Sequence, residues 1–145
     1  YGHTADHYLV DEFASNIIYR FKAFDERFES VKERFMYAYR FAADIMMNND
    51  DEMAITEVST RFTAQKNAKT LIVISDGSPS AHRNPSIKGT RTVVEKIRSK
   101  GIKVVSISIS ENAVGPNDEI YGKEWNVSND NPNVVMDVIR KIAHF

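Results

Sequence analysis

The residues best suited to chemistry lie in one short stretch, Leu71-Ile72-Val73-Ile74-Ser75-Asp76-Gly77-Ser78-Pro79-Ser80, which holds the one literal D-x-S-x-S of the chain. A carboxylate followed at two-residue steps by two hydroxyls offers hard oxygen donors. Mg²⁺ selects such ligands, and it takes only one or two protein carboxylates while keeping several waters. The same residues are also turn chemistry, with Asp accepting a backbone hydrogen bond and Gly adopting a positive φ. Spacing alone leaves both readings open.

Other chemistries find less support. No G-x-x-x-x-G-K-[ST] occurs, and Gly2, Gly77, Gly89, Gly101, Gly115 and Gly122 are too dispersed to cradle a phosphate. His3 and His7 stand four apart but lack the Glu and the later ligand of a zinc-protease pattern. Ser75 and Ser78 lie outside any G-x-S-x-G, so a hydrolase elbow is missing. Asn48-Asn49-Asp50-Asp51-Glu52 is a second oxygen-rich cluster, readable as a solvated turn between helices or as a contributor to a site with Asp76.

Asp76 follows Thr70 to Ser75, a short β-branched run of the kind found where helices cover both faces of a parallel sheet. Upstream, from Asp6 to about Lys66, apolar residues recur at steps of three and four (Phe13, Ile17, Ile18, Phe21, Phe24, Phe28, Val31, Phe35, Tyr39), which predicts a helical half. The Asn48 to Asp51 cluster ends one helix at Met47 and caps another that starts near Glu52 and ends near Gln65. Downstream, Thr90 to Lys100 has helical spacing and Gly101 supplies a stop. Ile102 to Ile109 is a second strand, Glu111 to Lys123 is turn-rich, and Glu124 to Ser128 is a brief extended piece. Pro132 to His144 is a last amphipathic helix with Val134, Val135, Val138, Ile139 and Ile142 inward. Strand, helix, strand, helix in this order predicts crossover units and a parallel sheet.

The whole chain sets the limits. Its 145 residues, 42% of them hydrophobic, suit one domain with a real core. A formal net charge of -1 gives no global field favouring nucleic acid or an acidic membrane surface. The absence of cysteine excludes disulfides, thiolate metal sites and a cysteine nucleophile. The run Leu71 to Ile74 is far short of the roughly 20 residues needed to span a bilayer. Tyr1-Gly2-His3-Thr4 has neither an initiator Met nor a signal pattern, which suggests a piece of a longer polypeptide.

Leu71 to Pro79 resembles the "VISDG(A/S)P" segment of the von Willebrand factor A-like domain that closes CobT-type subunits of aerobic cobaltochelatase. The likeness extends to both sides. Gly2-His3-Thr4 resembles the end of that domain's third strand, and Asn16-Ile17-Ile18-Tyr19-Arg20 its "IIYK"-type helix. Met46-Met47 with Asn49-Asp50-Asp51 and Ala54-Ile55 resembles its loop into the helix before the fourth strand. The resemblance implies a three-layer α/β fold, with a mainly parallel sheet flanked by helices. It also implies that residues 1–145 form a single N-terminally incomplete domain, whose first strands and true D-x-S-x-S lie upstream of Tyr1 and whose sheet is uncovered on one side. Asp76 then corresponds to the aspartate that ends the fourth strand, and its own D-x-S-x-S is accidental.

By the same resemblance Asp76, Asn49 and Asp51, with Ser78 as a lesser contributor, are the expected ligands of Mg²⁺ or Mn²⁺ in an incomplete metal-ion-dependent adhesion site. Asn49 stands where such domains carry a threonine. The implied role is that of a non-catalytic assembly subunit in ATP-dependent cobalt insertion during cobalamin biosynthesis. It would work in the cytoplasm with an AAA+ ATPase (CobS-type) and a large corrin-binding (CobN-type) subunit, through metal-dependent docking. The alternative is a metal-dependent protein-binding or adhesion domain unconnected with cobalamin.

Overall fold

The computed structural model describes residues 2–5, 16–20, 22–23, 25–34, 37, 50–62, 68–79 and 86–143. Two short strands, β1 (Gly2–Ala5) and β2 (Asn16–Tyr19), pair antiparallel with Gly2 opposite Tyr19 and Ala5 opposite Asn16. The helix expected at Asn16 to Arg20 is therefore corrected to a strand. Ile17, Ile18 and Tyr19 are strand-favouring types, and a stretch this short fits either periodicity. A helix does follow, α1, described over residues 28–34, in which Val31 is buried.

The Asp50 carboxylate accepts from Met53 N at 3.0 Å and starts α2 (Asp51–Thr60), whose first turn is acidic, as the positive end of a helix dipole favours. The helix stops at Thr60, short of Gln65. Then β3 (Lys69–Ser75) leads towards α3 (Ile87–Arg98), where Ser86 Oγ accepts from Gly89 N at 2.9 Å. Gly101, at φ +78°, makes the reversal into β4 (Ile102–Ser108) that its position suggested.

The segment expected to be turn-rich is instead a helix, α4 (Glu111–Tyr121), carrying Pro116 inside it. Its buried residues Ala113, Asn117, Ile120 and Tyr121 recur at helical steps and hold it against the core. That packing outweighs the backbone donor the proline lacks. A 3₁₀ turn (Lys123–Trp125), β5 (Asn126–Ser128) and α5 (Val134–Ala143) complete the described chain.

Strands β3, β4 and β5 form a parallel sheet in that order, with Leu71 opposite Val104, Ser75 opposite Ser108, and Ser106 opposite Asn126. The result is a three-layer α/β arrangement, Rossmann-like in its general layering. On one face α2, α3 and α4 enclose a core of Ile55, Val94, Ile97, Ile102, Val104, Ile120 and Tyr121, with Leu71 and Val73 packed against it. Each such side chain contributes about 1.5–3 kcal/mol on burial. On the other face α5 covers Val105 and Val127 with Val138, Val134 and Ile142. It does not cover β3, whose Ile72 and Ile74 remain 45% and 68% exposed. Among the described residues, no helix is long and apolar enough to cross a membrane.

Candidate functional site

The carboxyl edge of β3 alternates between anchored and presented residues. Ser75 is 7% exposed and Gly77 is buried, whereas Asp76 and Ser78 face solvent. The anchors are well held. Ser75 O accepts from Ile109 N at 3.2 Å and from Asn117 Nδ2 at 3.2 Å, while Ser75 Oγ accepts from Gly77 N at 3.0 Å. Gly77 adopts φ +74°, and a Cβ at this position would stand 3.0 Å from both Ala113 O and Pro116 Cβ. Glycine thus meets two separate demands here, a left-handed backbone and a close approach to α4.

Asp76 does what turn chemistry asks of it: its Oδ1 accepts from Ser78 N at 2.9 Å. Ser78 is correspondingly a turn residue. Asp51 begins α2 and is only 3% exposed. Its charge helps to push the Tyr121 hydroxyl well above its ordinary range, although burial of the phenol is the larger cause. One carboxylate is buried and the other exposed, so Asp51 and Asp76 do not share a solvent-facing surface. Asn49 and Ser80, and also His7, lie outside the described residues; His3 falls on β1.

The expectation of Mg²⁺ or Mn²⁺ is corrected by this arrangement. Among the described residues, no group of three or more His, Cys, Asp or Glu is placed to hold a metal ion. The acids are engaged elsewhere: Asp50 in the α2 cap, Asp76 in its turn, Asp118 with Asn126 Nδ2 at 2.8 Å, and Asp137 with Arg140 at 2.9 Å. Glu52 is likewise committed. Its Oε1 accepts from Ser86 N at 3.3 Å, and its carboxylate fills the space beside Gly89 at the start of α3. An acid there complements the helix dipole and ties the N-termini of α2 and α3 together. Since α3 runs back from the carboxyl end of β3 to the amino end of β4, both N-termini lie at the same sheet edge as Asp76.

Beneath the turn is a buried polar network that sequence reasoning missed. Ser106 Oγ and Ser108 Oγ donate to Asn126 Oδ1 at 2.7 and 2.9 Å, and Asn117 Nδ2 donates to Ser108 Oγ at 3.0 Å. Asn126 Nδ2 in turn reaches Val114 O at 3.4 Å. One signal was available: Ser106 and Ser108 alternate with apolar neighbours on the same strand face as Ile102 and Val104. Asn117 had no such signal, because its helix was read as turns.

No protein-family model matches the chain, and no curated protein matches it. The carboxyl edge can therefore be judged only on its own chemistry. Its Asp76 turn presents an exposed carboxylate and the exposed Ser78 hydroxyl over buried anchors, beside helix N-termini. In parallel sheets this edge is where ligands and partners meet the fold. Such an arrangement has the chemistry to accept cationic or hydrogen-bond-donating groups, and among the described residues it supplies neither a nucleophile–base pair nor a phosphate cradle.

Proposed function

We propose that this chain is a von Willebrand factor A-like docking domain, the non-catalytic assembly part of a CobT-type cobaltochelatase subunit. Two kinds of observation support the reading: the Ser-Asp-Gly-Ser-Pro segment falls at the carboxyl end of a parallel strand, β3, which lies at the outer side of the described sheet, and strand–helix units follow it. The observation that carries the docking role is the alternation at residues 75–78. Buried Ser75 and Gly77 hold Asp76 and Ser78 outward, so the turn is pre-organised and binding need not order it.

In this reading Asp76 pairs directly with a cationic side chain of the partner, and Ser78 accepts or donates a hydrogen bond beside it. No ion is required between them. The partner is an AAA+ ATPase of the chelatase type, which supplies ATP hydrolysis while a corrin-binding subunit holds the macrocycle. The setting is the cytoplasm, where such an ATPase finds its nucleotide. Direct titration of the purified ATPase against this protein is the test. Binding that weakens about tenfold or more in Asp76→Ala supports the reading, as expected for removing one partner of a desolvated charge pair. Failure of the wild-type protein to bind the ATPase contradicts it.

A further inference from the structure

We propose that Asn117 is the positioning residue of the Asp76 turn, making α4 the support on which the docking residues are held; the docking part of this inference rests on the reading above. Two contacts join α4 to the turn. The first is the close approach of Gly77 to Ala113 and Pro116, where a Cβ would be only 3.0 Å from each. The second is the Asn117 amide, fully buried in α4, whose Nδ2 donates at 3.2 Å to the carbonyl of Ser75, the residue just before Asp76. The same amide donates to Ser108 Oγ at 3.0 Å and so links the carboxyl ends of β3 and β4.

A buried amide is an unexpected device at this point in a core. Leucine has the same branched outline with no polar atoms to satisfy, and among the described residues the Asn117 Oδ1 has no hydrogen-bond partner at all. An amide under that penalty is explained if its direction matters: it fixes where the peptide after Ser75 points, and with it the Asp76 Cα that carries the exposed carboxylate. Apolar contact cannot do this, because it has no preferred direction. The rest of the network does not have this role. Ser106 contacts Asn126 and not the turn, so it serves as an internal control.

The experiment is residue-resolved amide hydrogen exchange on the full chain, comparing the wild type, Asn117→Leu and Ser106→Ala. In the wild type the Asn117 side-chain amide protons should exchange as slowly as the Ile109 amide, which shares the Ser75 carbonyl; exchange at the rate of a free carboxamide overturns the proposal without any variant. In Asn117→Leu, exchange at Gly77, Ser78 and Ile109 should rise about tenfold more than at Val94 and Val104, whereas Ser106→Ala should change all sites by one common factor. A uniform rise in Asn117→Leu overturns positioning and leaves Asn117 an ordinary stability residue. Titration with the AAA+ ATPase separates the two layers. If the turn loosens in Asn117→Leu and binding weakens, both stand; if the turn loosens and binding is unchanged, positioning stands and the docking reading fails.

Discussion

The face of the sheet covered by α2, α3 and α4 divides into two halves built on different physics. Towards the amino ends of the strands, Leu71, Val73, Ile102 and Val104 meet Val94, Ile97 and Ile120, an apolar core with no preferred direction. Towards the carboxyl ends, the same strand faces continue as Ser75, Ser106 and Ser108, and their partners are the amides of Asn117 and Asn126. The first half stabilises the fold through area removed from water. The second adds little net stability for each hydrogen bond but fixes orientation, and it does so beneath the turn that presents the Asp76 carboxylate to solvent. The proposed docking turn thus lies where the core stops being apolar.

The contrast is open to test from both sides. The largest effect is expected in the apolar half: Ile120→Ala, at a site 1% exposed, should destabilise by about 2–5 kcal/mol, measured by denaturant unfolding. A loss below about 1 kcal/mol would mean that this half is not the main source of stability. Next is the boundary. Gly77→Ala meets both a left-handed φ of +74° and backbone atoms at 3.0 Å, so a loss of about 1–3 kcal/mol should follow, accompanied by displacement of the turn. A neutral result would show that the turn is not pressed against α4.

The smallest effect concerns a polar group within the apolar half. Tyr121 is fully buried, and among the described residues its hydroxyl has no hydrogen-bond partner. Tyr121→Phe should accordingly be neutral or slightly stabilising near pH 7. The alkaline limb sharpens the point. Burial, with the Asp51 charge, raises the native pKa of Tyr121 above its ordinary 10.0. Between these two values the unfolded chain releases a proton that the native protein retains, so stability is complete below about pH 10 and falls as pH rises beyond it. The Phe variant should lose part of that decline. An unchanged pH profile would show that the phenol is not protected in the way the fold implies.

Legibility from sequence follows the same division. Strands β3 and β4 were readable to within a residue or so, because uninterrupted β-branched runs between a helix and a glycine reversal have few alternatives. Asp76 was readable for the same reason, being placed by the end of its strand. Helix α4 was not: Gly115, Pro116 and Asn117 at its centre are breaker types, and only the packing of Ala113 and Ile120 overrides them. Asn117 was invisible because its acceptor is a backbone carbonyl 42 residues away, which no local pattern encodes. The metal expectation failed through a real ambiguity. Oxygen-bearing residues that cap a helix or close a turn are the same types that bind an ion, and sequence does not show that Asp51 is buried in α2 while Asp76 is exposed and accepts from Ser78 N.

On the proposed reading, the carboxyl edge docks its partner by presenting Asp76 on a turn held from below. The most direct test measures the dissociation constant for the AAA+ ATPase and the thermal midpoint together, in the wild type and in Asp76→Ala. Asp76→Ala removes an exposed carboxylate together with its hydrogen bond from Ser78 N, so the loss of stability should stay at about 1 kcal/mol. Binding should weaken about tenfold or more while the protein stays folded; equal binding by both proteins would overturn the reading.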